Sequence, residues 1–218
     1  MVVKGIRRMA HTGELAVFGS GMAGLAMQIL AGRLLAPSFG SSVYTWGSII
    51  SVFMVTLSLG YYFGGKTSTT ASKKDVVMIL FIASLFMGLL TFFGKDLALF
   101  FGSLPLPSQY AALPAVLVLF GPASFLFGML TPYAVSLSRT LKKGEASGKI
   151  FTIDTVGSIF GSFGATFVLI PFLSLTASFA VLGLLCLVMT VLIWPKKSSV
   201  LAALLIATIL CLGIFRGE

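Results

Sequence analysis

Apolar residues run through this chain in blocks of about 20, joined by short stretches rich in glycine, serine and lysine. Inside the blocks there is neither the strict alternation of a half-buried strand nor the polar stripe of a surface helix. About 20 mostly apolar residues are needed to cross a hydrocarbon core about 30 Å thick. The pattern predicts spans near 15–36, 43–65, 75–94, 110–136, 151–171, 174–194 and 199–215. The fold class expected is therefore all-α, a polytopic integral membrane bundle of about seven transmembrane helices forming a single domain over 1–218. The stretch from Lys95 to Gln109 is apolar but interrupted by Pro105 and Pro107, and reads as an interfacial or re-entrant loop.

Composition agrees with that pattern. Hydrophobic residues make up 57% of the chain and charged residues 10%, against about 25% charged in an ordinary globular domain. The net charge of +9 would suggest nucleic acid as a partner of a soluble protein, but its placement follows the positive-inside rule. With the N-terminus in the cytoplasm, Lys4, Arg7, Arg8, Lys66, Lys73, Lys74, Arg139, Lys142, Lys143, Lys149, Lys196 and Lys197 all fall inside, and only Arg33, Lys95 and Arg216 fall toward the outer side. The basic residues are thus read as setting topology and meeting anionic headgroups. This gives a multi-pass protein of the plasma membrane with the lipid bilayer as partner, an outward C-terminus, and no nucleic acid. The first apolar stretch is too long, and followed by too many others, for a cleaved signal peptide.

The chemistry-bearing residues are few. Gly19, Gly21 and Gly24 spell Gly-x-Gly-x-x-Gly, yet a dinucleotide site also needs an acidic residue about 20 positions on. No Asp or Glu occurs between Glu14 and Asp75. Cys186 and Cys211 lack metal-site or disulfide spacing, and His11 is the single histidine, so no metal, cofactor or catalytic residue is expected. The costly residues inside spans are Gln28, Arg33 and Asp154, and intramembrane ionisable groups are functional candidates by default. Arg33 and Asp154 are expected on the order of 20 Å apart in depth at 1.5 Å per residue, and Arg33 can snorkel to the outer interface. Asp154 can accept from another helix, bind a cation, or pair with Arg139, Lys142 or Lys149.

Glycine spacing adds two faces. Gly157, Ser158, Gly161 and Gly164 recur with Asp154 on one side of the fifth span, and Gly21, Gly24, Gln28 and Gly32 do so on the first, with Gly19 lying off that face. Small residues at such spacing let membrane helices approach closely, so spans one and five are expected to be neighbours. The fourth span carries Pro114, Pro122 and Pro132, each a candidate bend.

The stretches "GLAMQILAGRLLAPSFGSSVYTWGSIISVFMVTLSLGYYFGGK", "FGPASFLFGMLTPYAVSLS" and "GKIFTIDTVGSIFGSFGATFVLIPFLSL" together resemble the membrane portion of the spermidine synthase-like polytopic membrane proteins. The resemblance rests on Arg33, on Gly40 with Tyr44 and Trp46, on the Gly60/Gly64/Gly65 exit from the second span, on Gly128 and Pro132, and on the run from Asp154 to Gly161. It implies a membrane module that in relatives precedes an aminopropyltransferase domain. Nothing in these residues resembles that domain's nucleotide-binding sheet or acidic motif, so aminopropyltransferase activity is not expected of this polypeptide. Many relatives carry glutamate where Gln28 stands here. Two functions remain open. One is a module that binds or moves a small cationic solute such as a polyamine, with Asp154, Gln28, Arg33, Tyr44 and Trp46 as the candidate site. The other is a non-transporting anchor for a synthase-like partner, its glycine faces serving only packing; a homodimer forming a facilitator-like pore is a further alternative.

Overall fold

The computed structural model describes residues 2–107, 110–138 and 142–195, together with Ala203, Ile206 and Ala207; for 2–10 and Lys143 only the backbone is described. The elements are α1 (Val2–Phe39), α2 (Val43–Thr67), α3 (Lys73–Gly102), α4 (Ala112–Leu137), α5 (Lys143–Gly164), a π turn (Ala165–Leu169), α6 (Ile170–Phe172) and α7 (Leu175–Ile193). Among the described residues six helical segments are long and apolar enough to cross a membrane, the fifth running from Gly144 through the π turn to Phe172. The chain is an all-α polytopic bundle. The seventh predicted span lies outside the described residues, except that Ala203, Ile206 and Ala207 are helical and Ala203 packs with Ala180 and Leu187 of α7.

Local signals set the helix ends. Gly40 at φ 71° ends α1, its N–H donating to the Ala36 carbonyl at 2.9 Å, the left-handed stop that glycine adopts at no steric cost. Ser42 then caps α2 by accepting from the Thr45 N–H at 3.2 Å, and Ser174 caps α7 through the Ala177 N–H at 3.2 Å. Asp75 accepts from both the N–H and the hydroxyl of Ser72 at 2.8 Å, closing a capping box at the start of α3.

Two expectations are corrected. The third span continues past Gly94 as one helix to Gly102, so Lys95–Gly102 is helix and not loop. Its residues are ordinary helix formers, and the break comes only where Pro105 forbids helical geometry just ahead of it. Pro114 does not bend α4 from within, because the helix starts at Ala112 and Pro114 lies in its first turn, where a missing N–H costs nothing. Pro122 and Pro132 are inside α4.

Packing divides α1, α2, α4 and α5 into two parallel pairs. The contact Thr56–Ser124 between α2 and α4 and the contact of Ser136 with Ser68, in the 3-10 turn (Ser68–Thr70) just past α2, keep a constant offset of 68 residues, and Gly60 lies against Phe125 and Gly128 between them. In α1 and α5, Phe18 lies against Gly157 and Met22 against Gly161, again in one direction. α1 also packs on α4, whereas α2 and α5 make no substantial contact. The core between these helices, α3 and α7 holds Met27, Leu30, Leu80, Met87 and Leu130, all fully buried. The rings of Phe53, Phe120 and Phe179 meet in series at 5.9 and 6.2 Å. Hydroxyls within the spans return to their own helix, as Ser48 to the Tyr44 carbonyl at 2.8 Å and Thr91 to that of Met87 at 2.9 Å, which satisfies them where no water is at hand.

Candidate functional site

Glycine is what brings α5 against α1. A Cβ on Gly161 would strike the Met22 carbonyl oxygen, and one on Gly157 that of Phe18. A Cβ on Gly21 would meet the Asp154 carbonyl and stand 2.7 Å from Asp154 Oδ1 and 3.1 Å from Ser158 Oγ. The absence of a side chain at Gly21 thus makes the room in which the Asp154 carboxylate sits. The expected contact between the two glycine-bearing helices is present.

The rest of the α1 glycine face diverges. Gly24 faces Phe127 of α4 at ordinary contact distance, and Gly32 faces the indole of Trp46 on α2, a Cβ there standing 2.6 Å from Trp46 Cη2. Gly19, expected to lie off the packing face, is itself a packing position against Met189 of α7. Gly164 meets nothing within 4 Å. A central helix contacts neighbours all round, so its glycines serve several partners rather than one.

Between the two parallel pairs lies a cavity of about 110 Å³, room for several waters at about 10–15 Å³ each. α1 contributes Ser20, Gly21, Gly24, Leu25 and Gln28; α2 contributes Phe53, Leu57 and Tyr61; α4 contributes Ser124, Phe127 and Thr131; α5 contributes Asp154 and Ser158. All four sets lie well inside their spans. α5 begins several residues before the predicted span, so Asp154 lies further along its helix than one turn.

Asp154 and Gln28, picked out from sequence separately, therefore line one cavity. Both are half-buried, and neither hydrogen-bonds to another described residue. Among the described residues no fully buried side-chain N or O lacks a partner, which means that the free atoms of Asp154 and Gln28 open onto the cavity. Ser124 is committed, donating to the Gly121 carbonyl at 3.1 Å and meeting the Thr56 hydroxyl, and Ser20 donates to the Val17 carbonyl at 3.1 Å. Among the described residues the cavity wall contains no Lys, Arg or His.

Of the cations expected near Asp154, Lys149 and Lys142 are elsewhere. Lys149 pairs with Glu14 of α1 at 2.5 Å, and His11 Nδ1 stands 3.3 Å from the same carboxylate. Lys142 is exposed beyond the start of α5, and Arg139 lies outside the described residues. Arg33 donates from Nη1 to the carbonyls of Ile170 at 3.1 Å and Leu173 at 3.2 Å. It thereby satisfies the last carbonyls of the fifth span, which a helix end leaves open. Arg33, Tyr44 and Trp46 do not line the cavity. Arg33 is a helix-end anchor, Trp46 fills the notch at Gly32, and Tyr44 is exposed near the start of α2.

Tyr61 and Thr131 are cavity residues that the sequence reading missed, whereas Ser158 belongs to the small-residue face expected beside Asp154. Tyr61 and Tyr62 are adjacent, and only the approach of α2 to α4 through Gly60 and Gly64 decides that Tyr61 turns inward while Tyr62 lies under the Lys66 ammonium at 4.6 Å. Among the described residues no cluster of three or more metal-ligating side chains occurs.

No family model matches the chain, and neither a curated protein nor a solved structure matches it significantly. The resemblance to spermidine synthase-like membrane proteins rests on the sequence motifs alone.

Proposed function

We propose that this protein binds a small organic cation, of the size and charge class of the polyamines, in the cavity between α1, α2, α4 and α5 and passes it across the membrane. The observation that carries this reading is the carboxylate of Asp154 facing a mid-span cavity with no cation beside it among the described residues. An aspartate at the centre of a span costs roughly 2.5–3.5 kcal/mol on insertion scales. A purely structural aspartate would offset that cost with a fixed partner, as Glu14 does with Lys149. Gln28 supplies a neutral carbonyl acceptor for the ammonium hydrogens, and Phe53, Leu57 and Phe127 supply apolar wall for a short alkyl chain. The division into two glycine-tightened pairs supports movement as well as binding, since each pair can tilt as a unit around the cavity, as transporter bundles do.

The test is uptake of labelled putrescine into proteoliposomes of the purified protein. Flux that saturates, and that Asp154→Asn reduces at least tenfold while the variant elutes from a sizing column like the wild type, supports the reading. Absence of flux and of binding for putrescine and spermidine alike leaves the anchor function in its place.

A further inference from the structure

Resting on the cation reading of this cavity, we infer that Asp154 holds either a proton or the ammonium group of the solute, each excluding the other, so that one proton is exchanged for each ammonium bound. The inference comes from what surrounds the carboxylate. On α1, Gly21 and Gln28 face it, and the charged side chains described on that helix are engaged elsewhere: Glu14 and His11 with each other and Lys149 toward one end, Arg33 with Ile170 and Leu173 at the other. On α2 the titratable group facing the cavity is Tyr61, whose phenol is neutral through the ordinary range of pH. On α4 only the hydroxyls of Ser124 and Thr131 and the ring of Phe127 face it; Tyr133 is turned to the Thr67 hydroxyl at 3.0 Å. α5 itself adds Ser158.

A lone carboxylate in such surroundings has two ways to be neutralised. It takes a proton, which leaves a carboxylic acid able to donate toward the cavity, or it meets a cation from solution. Both occupy the same oxygens. When the ammonium arrives, the carboxyl O–H bond breaks and the proton leaves to water on the side from which the cation came. When the ammonium departs on the other side, a proton is taken up there. The lining holds one carboxylate, so the stoichiometry is set by ammonium groups engaged and not by solute charge. A monovalent cation exchanges without net charge movement, and a dication such as putrescine carries one positive charge across uncompensated.

Proton release on binding separates this from simple cation binding. The probe is tetramethylammonium, which has no proton of its own to lose, added to the full chain in detergent micelles with a pH-indicator dye and weak buffer; sodium chloride is the ionic-strength control. The expected result is about one proton released per cation bound at the acid end of the titration, with the apparent Kd rising about tenfold for each unit of pH lowered there. Asp154→Glu keeps the release, and Asp154→Asn loses it along with the pH dependence. Binding of tetramethylammonium with no proton released at any pH from about 5 to 8 overturns the exchange while leaving the cation site standing. Release that survives in Asp154→Asn assigns the proton to another group and also overturns it. If neither tetramethylammonium nor putrescine binds, the exchange and the cation reading fall together.

Discussion

Replacing Gly161 by alanine tests the helix packing on which the cavity depends. The added Cβ would meet the carbonyl carbon and Cα of Met22, each at 2.8 Å, besides the carbonyl oxygen. Carbon atoms in contact prefer about 3.5–4.0 Å, so α1 and α5 must part by roughly 0.7–1 Å along this seam. A gap of that size forfeits about a quarter to a half of each dispersion contact across it. The obstructing atoms are backbone and cannot rotate away. Overpacking of this kind costs about 1–3 kcal/mol, offset by up to about 1 kcal/mol because alanine is the better helix former. Gly164 is one turn further along the same helix and has nothing within 4 Å of its would-be Cβ. Gly164→Ala should therefore gain a few tenths to about 1 kcal/mol, and the two variants should differ by about 2 kcal/mol, or several degrees in Tm. Thermal unfolding of both in the same detergent measures the difference. Equal shifts, or a larger loss for Gly164→Ala, would refute the close parallel packing of α1 on α5.

Three further outcomes are expected. Gly32→Ala pushes the Trp46 indole out of its notch, so in a Trp194→Phe background its fluorescence should shift in wavelength or intensity, whereas Gly47→Ala, with open space at its Cβ, should leave it unchanged. Arg33→Ala frees the carbonyls of Ile170 and Leu173 and should cost about 1–2 kcal/mol, less than two buried charge-assisted bonds because the guanidinium is exposed. Faster amide exchange confined to the end of the fifth span would accompany that loss, and unchanged exchange there would count against the anchor role. For Glu14 and Lys149, a double-mutant cycle should return a coupling of roughly 0.2–1 kcal/mol that shrinks with salt, since the lysine is 49% exposed.

Hydropathy alone located the spans, because the bilayer demands long apolar runs with their backbone bonded internally. Its error at Lys95–Gly102 has a clear source: Pro105 and Pro107 marked the whole stretch as loop, yet they break the helix only beyond Gly102. Gln28 and Asp154 stood out for their cost in an apolar span, and that same cost explains why they share a cavity. Arg33 stood out for the same reason yet serves a helix end, since a cost does not say which partner meets it. Ser158 shared the small-residue face of Asp154 by its spacing, whereas Tyr61 and Thr131 carried no such signal. Tyrosine is cheap enough to appear on any face, and the inward direction of Tyr61 follows from how the glycines of α2 seat that helix against α4.

The proposed function requires an aqueous cavity open to a cation between the four helices beside Asp154. Cysteine labelling tests it most directly. In a background with Cys186 and Cys211 changed to alanine, Ser158→Cys places a thiol in the cavity wall, and Ile159→Cys places one at the same depth on a face that is 50% exposed outside the bundle. In lipid vesicles a charged, membrane-impermeant methanethiosulfonate should label Ser158→Cys at least tenfold faster than Ile159→Cys. Putrescine should slow that labelling, and the protection should vanish on adding Asp154→Asn. Equal rates at the two positions, or protection that persists without the carboxylate, would contradict the claim.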